Sequence, residues 1–368
     1  MIKSNRRIVI NGRFLGKPIT GVERYAHEMT RAIGDLILNN APEATGVSVV
    51  IARPHTEDAG SLSSDLEQVF FGTGNAQIWE QVALPRYAKD AVLLNFCNVS
   101  PLLHKNSITC VHDAHPWLIP ENFSWKFRRW YDVIVPLSIR RSRRWTSVSR
   151  YSGEQLLRLG IADRPPDAIT YNASDGFKQP LDPQIAQKHL AKWAISGDYV
   201  LCLGSSSKNK NIELINGITD ELRALGISVI VAGGSKSTVF GSQGHCATNV
   251  RQVGRITDEE LKALYANALA FLFPSFFEGF GVPPIEAMSQ NCPVIASNSS
   301  ALPEVLGNSA ILVPPDDPMA WLSAITSLKN SPELRSRMIK SGVAKAEEYS
   351  WKKSASTVLK MAQELFTI

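Results

Sequence analysis

Two glutamates, eight residues apart around a glycine-rich turn, are the side chains of this sequence best placed to do chemistry. Glu278 and Glu286 stand in the string FEGFGVPPIEAM, residues 277–288. Gly279 and Gly281 allow backbone N–H groups to approach a ligand with no Cβ in the way. Pro283 and Pro284 suit the first turn of a helix, and a helix start offers N–H donors to an anion such as a phosphate. Glu286, expected in that first turn, could accept both hydroxyls of a ribose-like diol. The plainer reading is a strand-to-helix loop with a glutamate that suits the helix dipole. Lys208 and Lys210 follow Gly204 and Ser205 in another loop. Cations there would stabilise negative charge that grows on a departing phosphate, where a structural loop would merely solvate them. His112-Asp113 ends a strand-like run, Gly21 precedes a helical stretch, and Arg255 follows Gly254. Each is either a loop residue at a ligand site or an ordinary turn, cap or surface residue.

The elements that must position these groups alternate. Short apolar runs at 7–11, 47–52, 91–96 and 107–111 read as strands, and Gly21–Leu38 reads as a helix. The stretch 121–160 is helical in character. Residues 164–185 are rich in Pro, Asp, Gly and Asn, which is loop chemistry, and the domain boundary is placed there. Strand-like runs resume at 199–203, 227–232, 268–274 and 293–296, with a helix over 284–290 between the last two. Alternation of this kind predicts parallel sheets covered by helices, with ligands at the carboxyl ends of the strands. The expected domains are 1–175, joined by a returning segment at 351–368, and 176–350. With 368 residues, 44% hydrophobic and 20% charged, the chain is excluded from disordered, fibrous and coiled-coil classes. Its net charge of +5 is mild and demands no nucleic acid. Five widely spaced cysteines suggest neither a disulfide framework nor a zinc cluster. No secretory signal or membrane span is read, so the expected location is cytoplasmic.

Glu278 and Glu286 in their context resemble the donor-site signature of family 4 (group 1) retaining glycosyltransferases. CPVIASNSSALPEVLGNSAILVPPDD, which follows, resembles the family's continuation. Gly12-Arg13-Phe14 through Thr20-Gly21-Val22-Glu23-Arg24-Tyr25 resembles the amino-terminal loop of members that build bacterial surface polysaccharides such as O-antigen, capsule and lipopolysaccharide. Val111-His112-Asp113, Ser147–Arg150, Tyr171-Asn172 and Gly204 to Asn211 fall in the family's order. The resemblance implies an α/β fold of the GT-B type: two facing Rossmann-like domains, an interdomain cleft and a carboxy-terminal crossover helix. It implies transfer of a hexose or deoxyhexose from a nucleotide-diphosphate sugar to a glycan or glycolipid, with retention. Glu286 would hold the ribose, Glu278 the donor sugar, and His112 would lie near the reacting sugar. The backbone of Gly279, Phe280 and Gly281 would contact sugar hydroxyls, and that of Val282 a phosphate. Lys210 would neutralise the diphosphate, and Gly21 would let the amino-terminal domain close on the donor phosphates or on the acceptor. Arg255 would lie beside the base. Where the family often has an arginine, this chain has Ser205, with Lys208 as its substitute. No Asp-x-Asp occurs, so neither a metal nor any other cofactor is expected.

Trp125 to Trp145 interleaves seven Lys and Arg residues with aromatics against one acid, Asp132. This is either a solvated helix face with aromatics packed inward, or a surface for an anionic inner membrane that carries a lipid-linked acceptor. Rival functions stay open on the same residues: a sugar-nucleotide epimerase or phosphorylase, a hydrolase using Glu278 and Glu286 as acid and base, or a non-catalytic binding protein.

Overall fold

The computed structural model describes residues 6–55, 66–72, 75–204, 207–234 and 249–367. The chain folds into two compact units. One comprises Met1–Asn172 with Ser350–Ile368, and the other Ala173–Tyr349. Each is an α/β unit around one wholly parallel sheet.

The first sheet contains β1 (Arg6–Asn11), β2 (Val47–Arg53), β3 (Glu67–Phe70), β4 (Val92–Asn95), β5 (Ser107–Val111), β6 (Arg144–Ser147) and β7 (Ala168–Ile169). Their order is β3-β2-β1-β4-β5-β6-β7. Strands such as Ile8-Val9-Ile10 are apolar without interruption because helices cover both faces. On one face, Val9, Val50 and Leu93 pack with Trp79. Another core gathers Val111, Trp145 and Leu156 with Ile134, Val135 and Ile139 of the helix Trp125–Arg141. That helix starts at Trp125 because Ser124 Oγ accepts the Phe127 N–H, 3.4 Å away.

Residues 121–160 are not one helical stretch. The helix stops at Arg141, β6 intervenes, and a second helix runs Arg150–Arg158. The basic, aromatic segment is divided accordingly. Trp125 is 70% exposed, Trp130 is half-buried, and Trp145 is a core residue of β6 with no exposed surface. Arg144 is tied to Asp167 at 2.9 Å. The short strands β3, β6 and β7 carry too few apolar residues to stand out from loop sequence.

The second sheet contains β8 (Tyr199–Leu203), β9 (Ser228–Ala232), β10 (Val250–Gly254), β11 (Ala270–Phe273), β12 (Val294–Ser297) and β13 (Ile311–Val313). Their order is β10-β9-β8-β11-β12-β13. Trp321 is fully buried against Val200, Val229 and Leu272, and its indole N–H reaches Pro314 O at 2.8 Å.

The last helix, Trp351–Glu364, belongs to the first unit. Its Ala355, Val358, Leu359 and Ala362 are buried. Trp351 meets Tyr25 of the helix Gly21–Leu38 edge-on at 5.5 Å, and Ser354 Oγ donates to Tyr171 O at 2.7 Å. Gln363 donates to Glu43 O and Thr45 O, before β2. Trp351→Ala should lower the stability of this unit by about 3–5 kcal/mol, the usual cost of deleting a buried indole. Denaturant unfolding measures it, and a loss below about 1 kcal/mol would show that the returning helix is not a structural part of the unit.

Candidate functional site

In a parallel sheet every strand ends at the same edge. A crevice opens there where the strand order reverses, because the loops after the two central strands turn to opposite faces. In the second unit those strands are β8 and β11. The loop after β8 carries Lys208, Asn209 and Lys210, and the loop after β11 carries Glu278 and the glycines. The two loops are bound together. Asn209 Nδ2 donates to Phe277 O at 2.8 Å, and Phe276 N donates to Asn209 O at 2.9 Å. Asn211, at φ +50°, sends Nδ2 to Pro274 O and to Pro315 O. Between these asparagines Lys210 Nζ stands 2.6 Å from Glu278 Oε1, above the Phe273 ring. Glu278 is held in turn by its own N–H, which donates to Ser300 Oγ at 2.9 Å. The fold thus joins Lys210, expected at the diphosphate, and Glu278, expected at the donor sugar. Lys208 lies exposed on the same short turn. Arg255 is exposed just beyond β10, two strands from β8. Ser205 lies outside the described residues.

The helix after the glycine turn runs Val282–Ser289, two residues earlier than expected. Gly281 starts it at φ +94°, a left-handed conformation that ends the loop. Two corrections follow. Pro283 and Pro284 occupy two of the first four helical positions, so only Val282 and Ile285 retain an N–H in that turn. Glu286 therefore falls in the second turn, and it is almost wholly buried at 3% exposure. Gly281 also has a reason that sequence did not reveal. A Cβ there would lie 2.6 Å from Leu302 Cδ2, so packing and backbone both require glycine. Gly279 and Val282 are part-exposed, whereas Phe280 is buried edge-on to Tyr349 at 5.3 Å.

In the first unit the order reverses between β1 and β4. A cavity of about 710 Å³ lies there, bounded by the loops after β1, β4 and β5 and by the start of the helix Trp125–Arg141. Arg13 on its lining belongs to a buried polar cluster. Arg13 pairs with Glu80 at 3.2 Å, and Asn11 Nδ2 donates to Glu80 at 2.7 Å and to Asn95 Oδ1 at 3.0 Å. Burial raises the Glu80 carboxyl above its ordinary range, opposed by Arg13. Burial also pushes the Cys97 thiol up, so this lining cysteine is a poor nucleophile.

His112 follows β5 but is not among the residues lining that cavity. Its Nε2 donates to Phe96 O at 2.8 Å, its N–H reaches Asn98 Oδ1 at 2.8 Å, and its ring meets Tyr25 edge-on at 4.8 Å. Burial lowers its pKa, which keeps the ring neutral. With Nε2 committed as donor, Nδ1 is left as an acceptor.

Arg13, Glu80, Asn209 and Ser300 escaped sequence reasoning, because each acts through a partner about 20 to 70 residues away. Gly21 is exposed, and a Cβ there would meet nothing within 4 Å. The two glycines should therefore behave oppositely in thermal unfolding. Gly281→Ala should cost about 1–3 kcal/mol through strain, while Gly21→Ala should stay within about 0.5 kcal/mol of wild type. Equal losses would refute the assignment of Gly281 to packing.

Comparisons with known proteins agree with this geometry. Residues 187–345 match the family model for glycosyl transferases group 1. The O-antigen chain mannosyltransferase RfbU of Salmonella typhimurium is 26% identical over 346 residues, 90% of this chain and 93% of that protein. The O-antigen chain mannosyltransferase B of Escherichia coli is 29% identical over 264 residues, 67% of each. Among solved structures, HepE of Anabaena, in complex with UDP and glucose, superposes with a TM-score of 0.71 at 16% identity, covering 99% of this chain and 100% of that one. WaaG, a glycosyltransferase involved in lipopolysaccharide biosynthesis, gives 0.65 at 12% identity over 97% and 99%. At such identities the structural likenesses establish the fold, which is GT-B, and the sequence matches establish the enzyme class: this chain is a glycosyltransferase, with the match to the group 1 family at residues 187–345.

Proposed function

We propose that this glycosyltransferase moves a hexosyl group, mannose being the sugar its relatives suggest, from a nucleoside-diphosphate sugar to a hydroxyl of a growing, lipid-linked surface polysaccharide such as O-antigen. The observation that carries the reading is the Lys210–Glu278 pair at the strand reversal of the second unit. Lys210 is about a third exposed there. A pair of that kind is worth roughly 0–1 kcal/mol, so it is readily exchanged. A diphosphate carries more negative charge than one carboxylate and takes Lys210 as its counter-ion. Glu278 is then released to hydroxyls of the donor sugar.

In the proposed reaction the bond from the anomeric carbon to the diphosphate oxygen breaks. A bond from the same carbon to the acceptor oxygen forms on the same face, and the acceptor proton passes to the departing phosphate. Lys210, Lys208 and the Val282 N–H oppose the charge that grows on the leaving group. Glu286 holds the ribose hydroxyls, and the backbone of Gly279, Phe280 and Gly281 faces the sugar. Arg255 stands toward the base, Gly21 toward the donor phosphates or the acceptor, and His112 accepts a sugar hydroxyl through Nδ1. The reading requires no resident metal or other cofactor.

Among the described residues no helix is long and apolar enough to cross a membrane. We infer a peripheral contact instead. Trp125, Arg129 and Val133 form one exposed stripe on their helix at four-residue spacing, with Arg128 beside it. Basic residues near an anionic surface contribute about 1 kcal/mol each.

Thermal shift with UDP, GDP, dTDP, CDP and ADP tests the donor site. One nucleotide should stabilise the wild type, by roughly 2.7 kcal/mol at about 100 times its Kd, and should not stabilise Glu286→Ala. No shift with any nucleotide would overturn the reading. For the membrane contact, co-sedimentation should be seen with anionic vesicles and not with zwitterionic ones, and Arg128→Glu/Arg129→Glu should abolish it. Equal binding to both vesicle types, or to neither, would sink that part.

A further inference from the structure

The turn that follows β12 lies along the Glu278 loop, contact by contact. Ser299 Oγ donates to Ser275 O at 3.1 Å. Ser300 Oγ accepts the Glu278 N–H at 2.9 Å, and the Ala301 N–H reaches Glu278 O at 3.4 Å. Leu302 fills the space beside Gly281, where a Cβ would come within 2.6 Å of its Cδ2. Residues 299–302 thus run in step with 275–281. The peptide groups on both sides of Glu278 are held by two consecutive residues of that turn.

Ser300 is the unusual member of the turn. Its φ of +54° is left-handed, a conformation strained for an L-residue and free for glycine. Glycine at 300 would relax the backbone, but it would lack the acceptor that meets the Glu278 N–H. What serine supplies here is therefore its hydroxyl. The exchange of Lys210 shows where that hydroxyl matters. While the ion pair stands, the ammonium holds the Glu278 carboxylate at 2.6 Å. Once the ammonium turns to a diphosphate, that restraint is gone. Among the described residues, the hydrogen bonds then remaining on Glu278 are the two from 300 and 301. A carboxylate on an unfixed backbone would spread over many positions and lose its aim at a sugar hydroxyl.

We propose that Ser300 is a positioning residue for the donor sugar. It fixes the Glu278 backbone, so that with Lys210 withdrawn the carboxylate meets the hexose hydroxyls in one orientation. The inference rests on the transferase reading above and adds to it the residue that orients Glu278. Among the described residues the side-chain hydrogen bond of Ser300 goes to Glu278. Its effect therefore belongs to the sugar and not to the nucleotide, which Lys210 and Glu286 hold in that reading.

Calorimetric titration of the full chain tests it, with UDP, GDP, dTDP, CDP and ADP and with the glucose and mannose esters of the same diphosphates as probes. Ser300→Gly should keep Tm within about 4 °C of wild type, because relief of the left-handed strain opposes the loss of one hydrogen bond. It should bind the preferred nucleoside diphosphate within about twofold of wild type. It should bind the matching diphosphohexose about tenfold more weakly, the lower end of the range for a hydrogen bond to a charged group. In a Glu278→Ala background, Ser300→Gly should weaken the diphosphohexose no further, since two residues that act through one contact are not additive. Equal weakening of diphosphate and diphosphohexose, an unchanged affinity for the diphosphohexose, or additive losses in the double variant would overturn the proposal. A larger fall in Tm would make Ser300 a purely structural residue and overturn it as well. Any of these results in a wild type that binds a nucleotide defeats this proposal alone. A wild type that binds none of the probes defeats the transferase reading with it.

Discussion

All strands of each sheet run in one direction, so every connection must return along a face of the sheet and every outgoing loop must leave from the same edge. The rest of the molecule follows from this. The order reverses between β1 and β4 in one unit and between β8 and β11 in the other. At those two places the edge cannot be closed by a neighbouring crossover, and loops distant in sequence are forced side by side. Lys210 and Glu278 are 68 residues apart in the chain and 2.6 Å apart in space for this reason. Arg13, just after β1, meets Glu80 of the helical segment that precedes β4.

The second unit was the more legible half of the sequence. Its chemistry sits in one continuous string around Glu278, and long apolar strands such as Ser228–Ala232 punctuate it clearly. Even so, the string misplaced its own helix. Two consecutive prolines suggested a start at Pro284, whereas the left-handed Gly281 sets it at Val282 and carries Glu286 into the second turn. The first unit was harder to read because its site is assembled from side chains that mean little singly. Glu80 and Asn95 are an unremarked glutamate in a short helical segment and an asparagine at a strand end until burial makes them partners of Arg13 and Asn11. Trp145 misled for the opposite reason. Its neighbours are arginines, so it read as part of a surface stripe, yet only β6 places it, and β6 has one large apolar residue. Periodicity alone does not separate them, since Trp145 falls eighteen residues after Phe127, five full turns of an α-helix, and so keeps the same phase.

Energetic scale also separates the roles of neighbouring residues. Gly281 is fixed by backbone and packing together, since its φ of +94° is strained for any side chain and a Cβ there would lie 2.6 Å from Leu302 Cδ2. The Lys210–Glu278 pair a few residues away is nearly neutral in stability, because partly exposed ion pairs return little. A loop that is rigid in backbone and labile in its charge pairing can exchange one counter-ion for another without moving. Asn209 and Asn211 provide the rigidity. They bind the Lys210 turn to backbone carbonyls on either side and leave the ammonium as the part free to change partner.

The two reversal points differ in electrostatics, and the difference is informative. Lys208 and Lys210 share a short turn against the single carboxylate of Glu278, beside a helix start whose Val282 N–H adds to the positive field. In the first unit the buried cation on the cavity lining, Arg13, is neutralised by a carboxylate that is itself almost wholly buried. Removing Glu80 would leave that guanidinium unpaired, at the several-kcal/mol cost typical of an isolated buried charge. The pair is therefore a fixed feature of the floor and cannot be lent to a ligand, whereas Lys210 can. One fold, used twice, offers a site with exchangeable positive charge and a site whose charge is already satisfied.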